Sequence, residues 1–383
     1  MKHKNDYILW MGSLLKISDL EKGLTASTAA VRWQTGLAEG LLNKNIDINC
    51  INKPSGAYWP KGPLVLGRKN AVFFRNINGI ETRFLNLPKI RTYLMSHAYS
   101  RAFKRTIKNF GLPKIAIFYN ITAQNKNLFY QLKYKYRVPC LILAADIPSK
   151  NHNEYDIYKN ACADANGVIY LSSSEYLKST VNNKMHLDGG ISRDTLEKRL
   201  GNVPESKPYL MYTGAFEGYC GVNLIIDALE HTNYDFKIVI CGNCNDNKLL
   251  TKFNNNPLIE YKGFVSEEEL EDLSRHAMGF INSYLPSAPE CDGKFPSKLF
   301  EYLSYGHPVI STMTSGMAPE YKNILLIVDS ESPSNMAIMF NLAYKLYASG
   351  NHSYISKSKN FLVPRTWDSQ AERFLEFIKN NIN

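Results

Sequence analysis

No apolar run in the chain is long enough to cross a bilayer. The longest, Cys140 to Ala145 and Ile324 to Val328, fall far short of the roughly 20 residues a spanning helix needs. A secretory leader is missing as well: Lys2 and Lys4 precede a brief apolar stretch, Tyr7 to Leu15, but Lys16, Asp19 and Glu21 follow without a small-residue cleavage site. That stretch reads as a first strand. There is no disulfide pattern either, because seven scattered cysteines are an odd number in a 383-residue chain, which points to a reducing, cytoplasmic compartment. The one close pair, Cys241 and Cys244, leaves a strand into an Asn/Asp loop with no second pair, so neither a redox helix nor a zinc site is expected. Three ligand motifs are absent too. No Asp-x-Asp pair occurs to clamp a metal on phosphates, so metal independence and no cofactor are expected. Gly12, Gly23 and Gly36 do not form Gly-x-Gly-x-x-Gly, which argues against a nicotinamide enzyme, and no P-loop is found.

What is present suits two cores: 383 residues with 44% apolar content exceed what one core usually organises. Short β-rich runs (Lys114 to Tyr119, Pro139 to Ala145, Gly167 to Leu171, Tyr209 to Thr213, Phe236 to Cys241) alternate with helical patterns. The fold class expected is α/β, with parallel sheets wrapped by helices. Gly201 to Pro208, with two prolines and no apolar periodicity, reads as a linker. The expected domains are 1–204 and 205–365, followed by a terminal helix, 366–383. Charge divides along the same line: residues 1–200 carry 30 Lys/Arg against 14 Asp/Glu, and residues 201–383 carry 15 against 21. A basic half calls for an anionic partner, whether nucleic acid, an anionic membrane face or a diphosphate substrate. Arg91 to Phe110 is an amphipathic helix in which Arg101, Lys104, Arg105 and Lys108 form a basic stripe, suited to a membrane surface or an ordinary solvated face. Tyrosines interleaved with basic residues keep a nucleic-acid groove as the weaker alternative.

The segment Phe295 to Thr312, FPSKLFEYLSYGHPVIST, parses as helix, stop and strand. Ser297 is placed to cap, Gly306 to stop the helix, and Val309 and Ile310 to begin a strand. A helix start suits a diphosphate, Lys298 adds a full charge there, and Glu301 one turn on suits a pair of ribose hydroxyls.

This segment resembles the donor-site helix of family 4 type glycosyltransferases. Upstream, Tyr209 to Leu229, Lys237 to Gly242 and Ile259 to Val265 are similar to that family's glycine loop, next strand and base-contacting loop, and Thr366 to Ile378 resembles its terminal helix. Matches in the first half, Lys22 to Thr28 and Leu187 to Ser192, are weaker. The resemblance implies the GT-B fold, two Rossmann-like domains facing across a cleft. It also implies retaining transfer of a hexose from a nucleotide sugar to a glycan or polyprenyl-diphosphate-linked acceptor in cell-surface polysaccharide or lipopolysaccharide synthesis, peripheral on the inner membrane face. Gly214, Gly242, Gly263, Phe264, Val265, Lys294, Ser297, Lys298, Leu299 and Glu301 are the expected donor contacts, and Gly23 and Thr25 the acceptor loop. The family's Arg and Lys in the glycine loop are replaced by Ala215 and Cys220, for which Lys294 and Lys298 are the candidate substitutes. Its second glutamate falls on Gly293, leaving Glu290 and Asp292 as neighbours. Where it closes a strand with histidine, this chain offers Asp146. Asp146, Lys298, Glu290 and Asp292 are therefore the catalytic candidates. Alternatives are a nucleotide-sugar epimerase on the same fold, or a partner subunit that lost catalysis.

Overall fold

The computed structural model describes residues 6–16, 27–54, 56–69, 71–149, 151–201 and 208–382. The chain forms two compact units. The first comprises Met1–Leu171, Lys178–Gly190 and Trp367–Asn383, and the second Ser172–Leu177 and Ile191–Thr366. The division thus falls at Gly190, ahead of the boundary expected at 204. Ile191 and Leu196 are buried in the second core, and Arg199 pairs with Glu271 at 2.7 Å, so the helix Arg193–Arg199 goes with the second unit.

In the first unit the strands are β1 (Tyr7–Gly12), β2 (Asp47–Asn52), β3 (Val65–Leu66), β4 (Asn78–Glu81), β5 (Phe84–Leu85), β6 (Ile115–Tyr119), β7 (Cys140–Ala144), β8 (Gly167–Tyr170) and β9 (Lys184–His186). Seven of them form a parallel sheet in the order β4-β2-β1-β6-β7-β8-β9, while β3 and β5 pair separately as an antiparallel ribbon. β1, β7 and β8 are buried throughout, which is why they read as continuous apolar runs. Helix α1 (Thr28–Asn43) packs on the terminal helix Trp367–Asn381. The close approach explains Gly36 and Gly40: a Cβ at Gly40 would lie 2.2 Å from the Trp367 carbonyl oxygen, and one at Gly36 2.1 Å from its indole. Helix α2 (Arg91–Phe110) matches the expected range, with Arg101, Lys104, Arg105 and Lys108 exposed. No described helix is long and apolar enough to cross a membrane.

The second unit holds β10 (Tyr209–Thr213), β11 (Lys237–Cys241), β12 (Ile259–Gly263), β13 (Gly279–Asn282), β14 (Val309–Ser311) and β15 (Leu326–Ile327). They form a parallel sheet in the order β12-β11-β10-β13-β14-β15. Strand order reverses at β10 and β13. In open α/β sheets that reversal leaves a crevice at the carboxyl ends of the strands, where ligands bind.

Between the helix Lys298–Leu303 and β14, His307 is buried and its Nε2 has no hydrogen-bond partner among the described residues. Burial pushes its pKa down to about 4, against a hydrogen bond to the Arg275 backbone that favours the charged ring. The unfolded chain therefore takes up a proton near the ordinary histidine pKa while the folded chain does not. The stability His307 allows is complete at neutral pH and is lost as pH falls toward 4. Between pH 7 and about pH 4.5 this group alone is expected to remove about 2 kcal/mol. Urea unfolding of His307→Gln at the two pH values checks it: the variant should lose less than the natural chain, and equal losses would reject the assignment.

Candidate active site

Three glycines mark the carboxyl edge of the second sheet, Gly214 after β10, Gly242 after β11 and Gly263 at the end of β12. Gly214 N–H donates to the Cys241 carbonyl at 3.0 Å, and Gly242 N–H to the Gly263 carbonyl at 2.7 Å. At Gly242 (φ +145°) a Cβ would stand 2.1 Å from the Gly214 carbonyl oxygen, and at Gly214 (φ +157°) 2.8 Å from the Lys298 ammonium. The strand ends are drawn together, and the backbone beside Lys298 is left bare.

Lys298 opens the short helix Lys298–Leu303. Its ammonium donates to the Thr213 carbonyl and lies 3.4 Å from Thr213 Oγ1. The Tyr302 hydroxyl shares the same residue, 3.1 Å from its N–H and 3.0 Å from Oγ1. Tyr302 stacks on Phe280 of β13 at 4.7 Å, and burial pushes its pKa up to about 12, which keeps the hydroxyl protonated. A lysine charge is thereby fixed at the end of β10, where the strand order reverses.

Lys294 brings a second cation. Its ammonium stands 3.9 Å from the ring centroid of Tyr219 and 5.0 Å from that of Tyr284, so the two aromatic faces hold it by their quadrupoles. Tyr219 belongs to the loop after β10, next to Cys220. Cys220 is 2% exposed, its thiol 3.6 Å from the Glu217 carboxylate, and burial pushes its pKa up to about 11. Position 220 is thus a core position, and the charge beside this loop comes from Lys294. Ala215 is exposed.

The loop from Glu290 to Lys294 is clasped by a segment distant in sequence. Ser173 N–H donates to Gly316 O at 2.9 Å and Ser174 N–H to Ser315 O at 3.2 Å. Ser315 Oγ in turn accepts from Gly293 N–H at 2.8 Å and donates to Asp292 Oδ1 at 3.1 Å. Glu290 and Asp292 are exposed. A Cβ built on Gly293 (φ +68°) would lie 3.7 Å from Glu175 Oε1, so a carboxylate from residue 175 stands beside position 293. Sequence reasoning missed Glu175, because no local pattern brings residue 175 to residue 293.

Other expected contacts are placed as follows. Ser297 does not cap the helix: its backbone is already helical (φ −58°, ψ −22°) and its side chain makes no cap bond, whereas a cap residue needs extended geometry. Leu299 is fully buried, and its N–H donates to the Pro296 carbonyl at 3.1 Å. Glu301 and Val265 are half-buried, and Phe264 is 88% exposed beside Gly263. In the first unit, Asp146 follows β7 and accepts from Asn120 Nδ2 at 2.8 Å, while Asn120 Oδ1 accepts from Asp146 N–H at 3.0 Å. Gly23 and Thr25 lie outside the described residues. Among the described residues, no three His, Cys, Asp or Glu side chains gather as a metal site requires.

Residues 194–343 match the family model described as glycosyl transferases group 1. No curated protein is similar to the chain at a significant level of sequence. Among solved structures, a glycosyltransferase from Rickettsia africae superposes with a TM-score of 0.71 at 13% identity, covering 99% of both chains. HepE of Anabaena in complex with UDP gives 0.66 at 12%, covering 97% of this chain and 99% of that one. The lipopolysaccharide outer core galactosyltransferase WaaB gives 0.64 at 14%, covering 98% and 100%. The fold is GT-B, and the residues that match the group 1 model lie in the second unit.

Proposed function

We propose that this chain is a retaining glycosyltransferase that moves a hexose from a nucleotide sugar to a glycan or lipid-linked glycan acceptor. One observation carries the reading: the Lys298 ammonium is fixed beside bare glycine backbone where the strand order of the second sheet reverses, a place shaped for a diphosphate. Lys298 and Lys294 take up the charge that grows on the diphosphate as its bond to the anomeric carbon breaks. These cations do so without a metal or cofactor. The acceptor hydroxyl oxygen forms the new bond, and its proton leaves with the departing phosphate oxygen. Glu301 binds the ribose hydroxyls, the Gly263-Phe264-Val265 segment meets the base, and Glu175 holds a hydroxyl of the sugar. Asp146, oriented by Asn120, is the first unit's candidate for positioning the acceptor. A uridine nucleotide is favoured, since HepE is described with UDP and with UDP-glucose.

The test is a thermal-shift panel of UDP-, GDP-, dTDP- and CMP-linked sugars, because a ligand specific to the folded state raises its melting temperature. A response to UDP-sugars, followed by UDP release that depends on added acceptor, is expected. Silence to every nucleotide would reject the donor site. Binding with interconversion of the sugar but no transfer would favour an epimerase.

A further inference from the structure

The sheet of the second unit has a cavity further along its carboxyl edge than the donor site. It measures about 410 Å³, within the roughly 300–1,000 Å³ of small-molecule sites. Its walls come from Lys322 and from the segments that follow β13, β14 and β15. With neighbouring strands about 4.8 Å apart, the ends of β14 and β15 stand about 10 to 14 Å from the end of β10, where Lys298 lies. Gly293, beside which the donor sugar is proposed to sit, lies over that interval, because the carbonyl of its neighbour Lys294 accepts from Thr314 Oγ1, just past β14, at 2.6 Å.

The walls are held before a ligand arrives. Ser287 donates its N–H and its hydroxyl to the Glu331 carboxylate, each at 2.6 Å, which ties the loop after β13 to the end of β15. Thr312, 1% exposed, donates its hydroxyl to the Tyr284 carbonyl, and Val328 N–H donates to Ser311 O at 2.9 Å. Tyr284 is one of the two rings that hold Lys294, so one loop serves both places. Three polar groups are left to meet a ligand. Lys322 and Asp329 have no hydrogen-bond or ion-pair partner among the described residues, and although they line one cavity they do not pair with each other. Ser330 Oγ accepts from Asn335 Nδ2 at 2.7 Å, which leaves its O–H to donate. Pro286, Met313, Ile327 and Val328 supply aliphatic surface.

We propose that this cavity seats a neutral sugar of the acceptor glycan. A sugar ring turns C–H groups to aliphatic surface and carries hydroxyls that both donate and accept. One ring can therefore meet the Lys322 ammonium, the Ser330 hydroxyl and the Asp329 carboxylate together. The charges of the lining disfavour an anion: Asp329 and Glu331 outnumber Lys322, so phosphate or a second nucleotide is repelled. No aromatic ring lines the cavity among the described residues, which removes the stacking surface that a base uses. A lipid chain would desolvate both charges without pairing them. The role as an acceptor seat rests on the donor-site reading, whereas the binding of a sugar here does not.

Saturation-transfer NMR on the full-length protein reads this binding without any nucleotide. The probes are the methyl glycosides of glucose, galactose, mannose and N-acetylglucosamine, beside inorganic phosphate as an anion and serine as a zwitterion, the last two followed by their effect on melting temperature. At least one glycoside should receive saturation, and Asp329→Ala and Lys322→Ala should each weaken its binding by about tenfold or more. Both side chains are exposed, so the variants should keep the melting temperature and the nucleotide response of the natural chain. The responding glycoside should also accelerate UDP release from the nucleotide sugar, with its KM raised in Asp329→Ala and the donor KM unchanged. Silence to every glycoside beside an intact nucleotide response would overturn this proposal and leave the donor site standing. Saturation unchanged in both variants would overturn the location, and a response to phosphate or serine in place of the glycosides would overturn the sugar assignment. Glycoside binding that depends on Asp329 but never accelerates UDP release would overturn the acceptor role.

Discussion

Lys298→Ala is expected to lower kcat/KM by about 10² to 10³, the loss that follows when one fixed charge or donor aimed at a developing anion is removed. The geometry supports a figure of that size. The ammonium is held in place before any ligand arrives, by the carbonyl and hydroxyl of Thr213, so little reorganisation is needed as charge shifts onto the diphosphate. Bare backbone at Gly214 leaves it reachable, since even a methyl group there would come within 2.8 Å of the nitrogen. The same contacts raise the rival explanation that Lys298 merely ties the helix to β10. Tyr302 separates the two, because its hydroxyl holds Thr213 independently, and the alanine variant should melt within a few degrees of the natural chain. Steady-state kinetics with the responding nucleotide sugar, beside a melting curve, decide it. Unchanged kcat/KM makes Lys298 a structural tie. Lys298→Arg should recover only part of the rate, as the broader guanidinium meets the packed strand end in another geometry.

How far these features can be read from sequence depends on the range of the contacts that make them. The parallel sheets were legible because strands buried on both faces must be apolar at every position, as in Cys140–Ala144. Helix α2 was legible for the complementary reason: one face is buried by Met95, Ala98, Tyr99, Ala102 and Phe103 while the other is cationic. Lys298 was legible because its neighbours, Gly306 and Pro308, punctuate a helix and a strand locally. Ser297 shows the limit of that logic. Its residue type suits a cap, but the Pro296 carbonyl already accepts from Leu299, so the helical turn begins before it. The division at Gly190 escaped the sequence because what decides it is the burial of Ile191 and Leu196 among residues far along the chain, which leaves no mark in local composition. In the sequence Lys294 is marked only by its nearness to the motif. Its seating between Tyr219 and Tyr284 joins two loops some sixty positions apart in the chain, and no spacing rule reaches that distance.

Glu175 is the acid that the fold brings to the position where the motif has Gly293. The six-residue segment Ser172–Leu177 leaves the first unit's sequence and packs within the second, held by two main-chain bonds to Ser315 and Gly316. Those bonds fix the carboxylate beside Gly293, a residue whose φ of +68° suits glycine. A glutamate at 293 would be strained by that φ, whereas Glu175 brings an acid to the same place without it. If Glu175 holds a sugar hydroxyl, Glu175→Gln exchanges a charged acceptor for a neutral one, and a hydrogen bond to a charged group contributes about 1.5–3 kcal/mol. The expected result is a fall in kcat/KM of about 10- to 150-fold for the nucleotide sugar, with the affinity for the nucleoside diphosphate alone unchanged because that ligand lacks the hydroxyl. Calorimetric titration with the diphosphate, beside kinetics with the sugar donor, distinguishes the outcomes. Loss of both affinities would mean that Glu175 supports the loop from Glu290 to Lys294, and retention of both would remove it from the site.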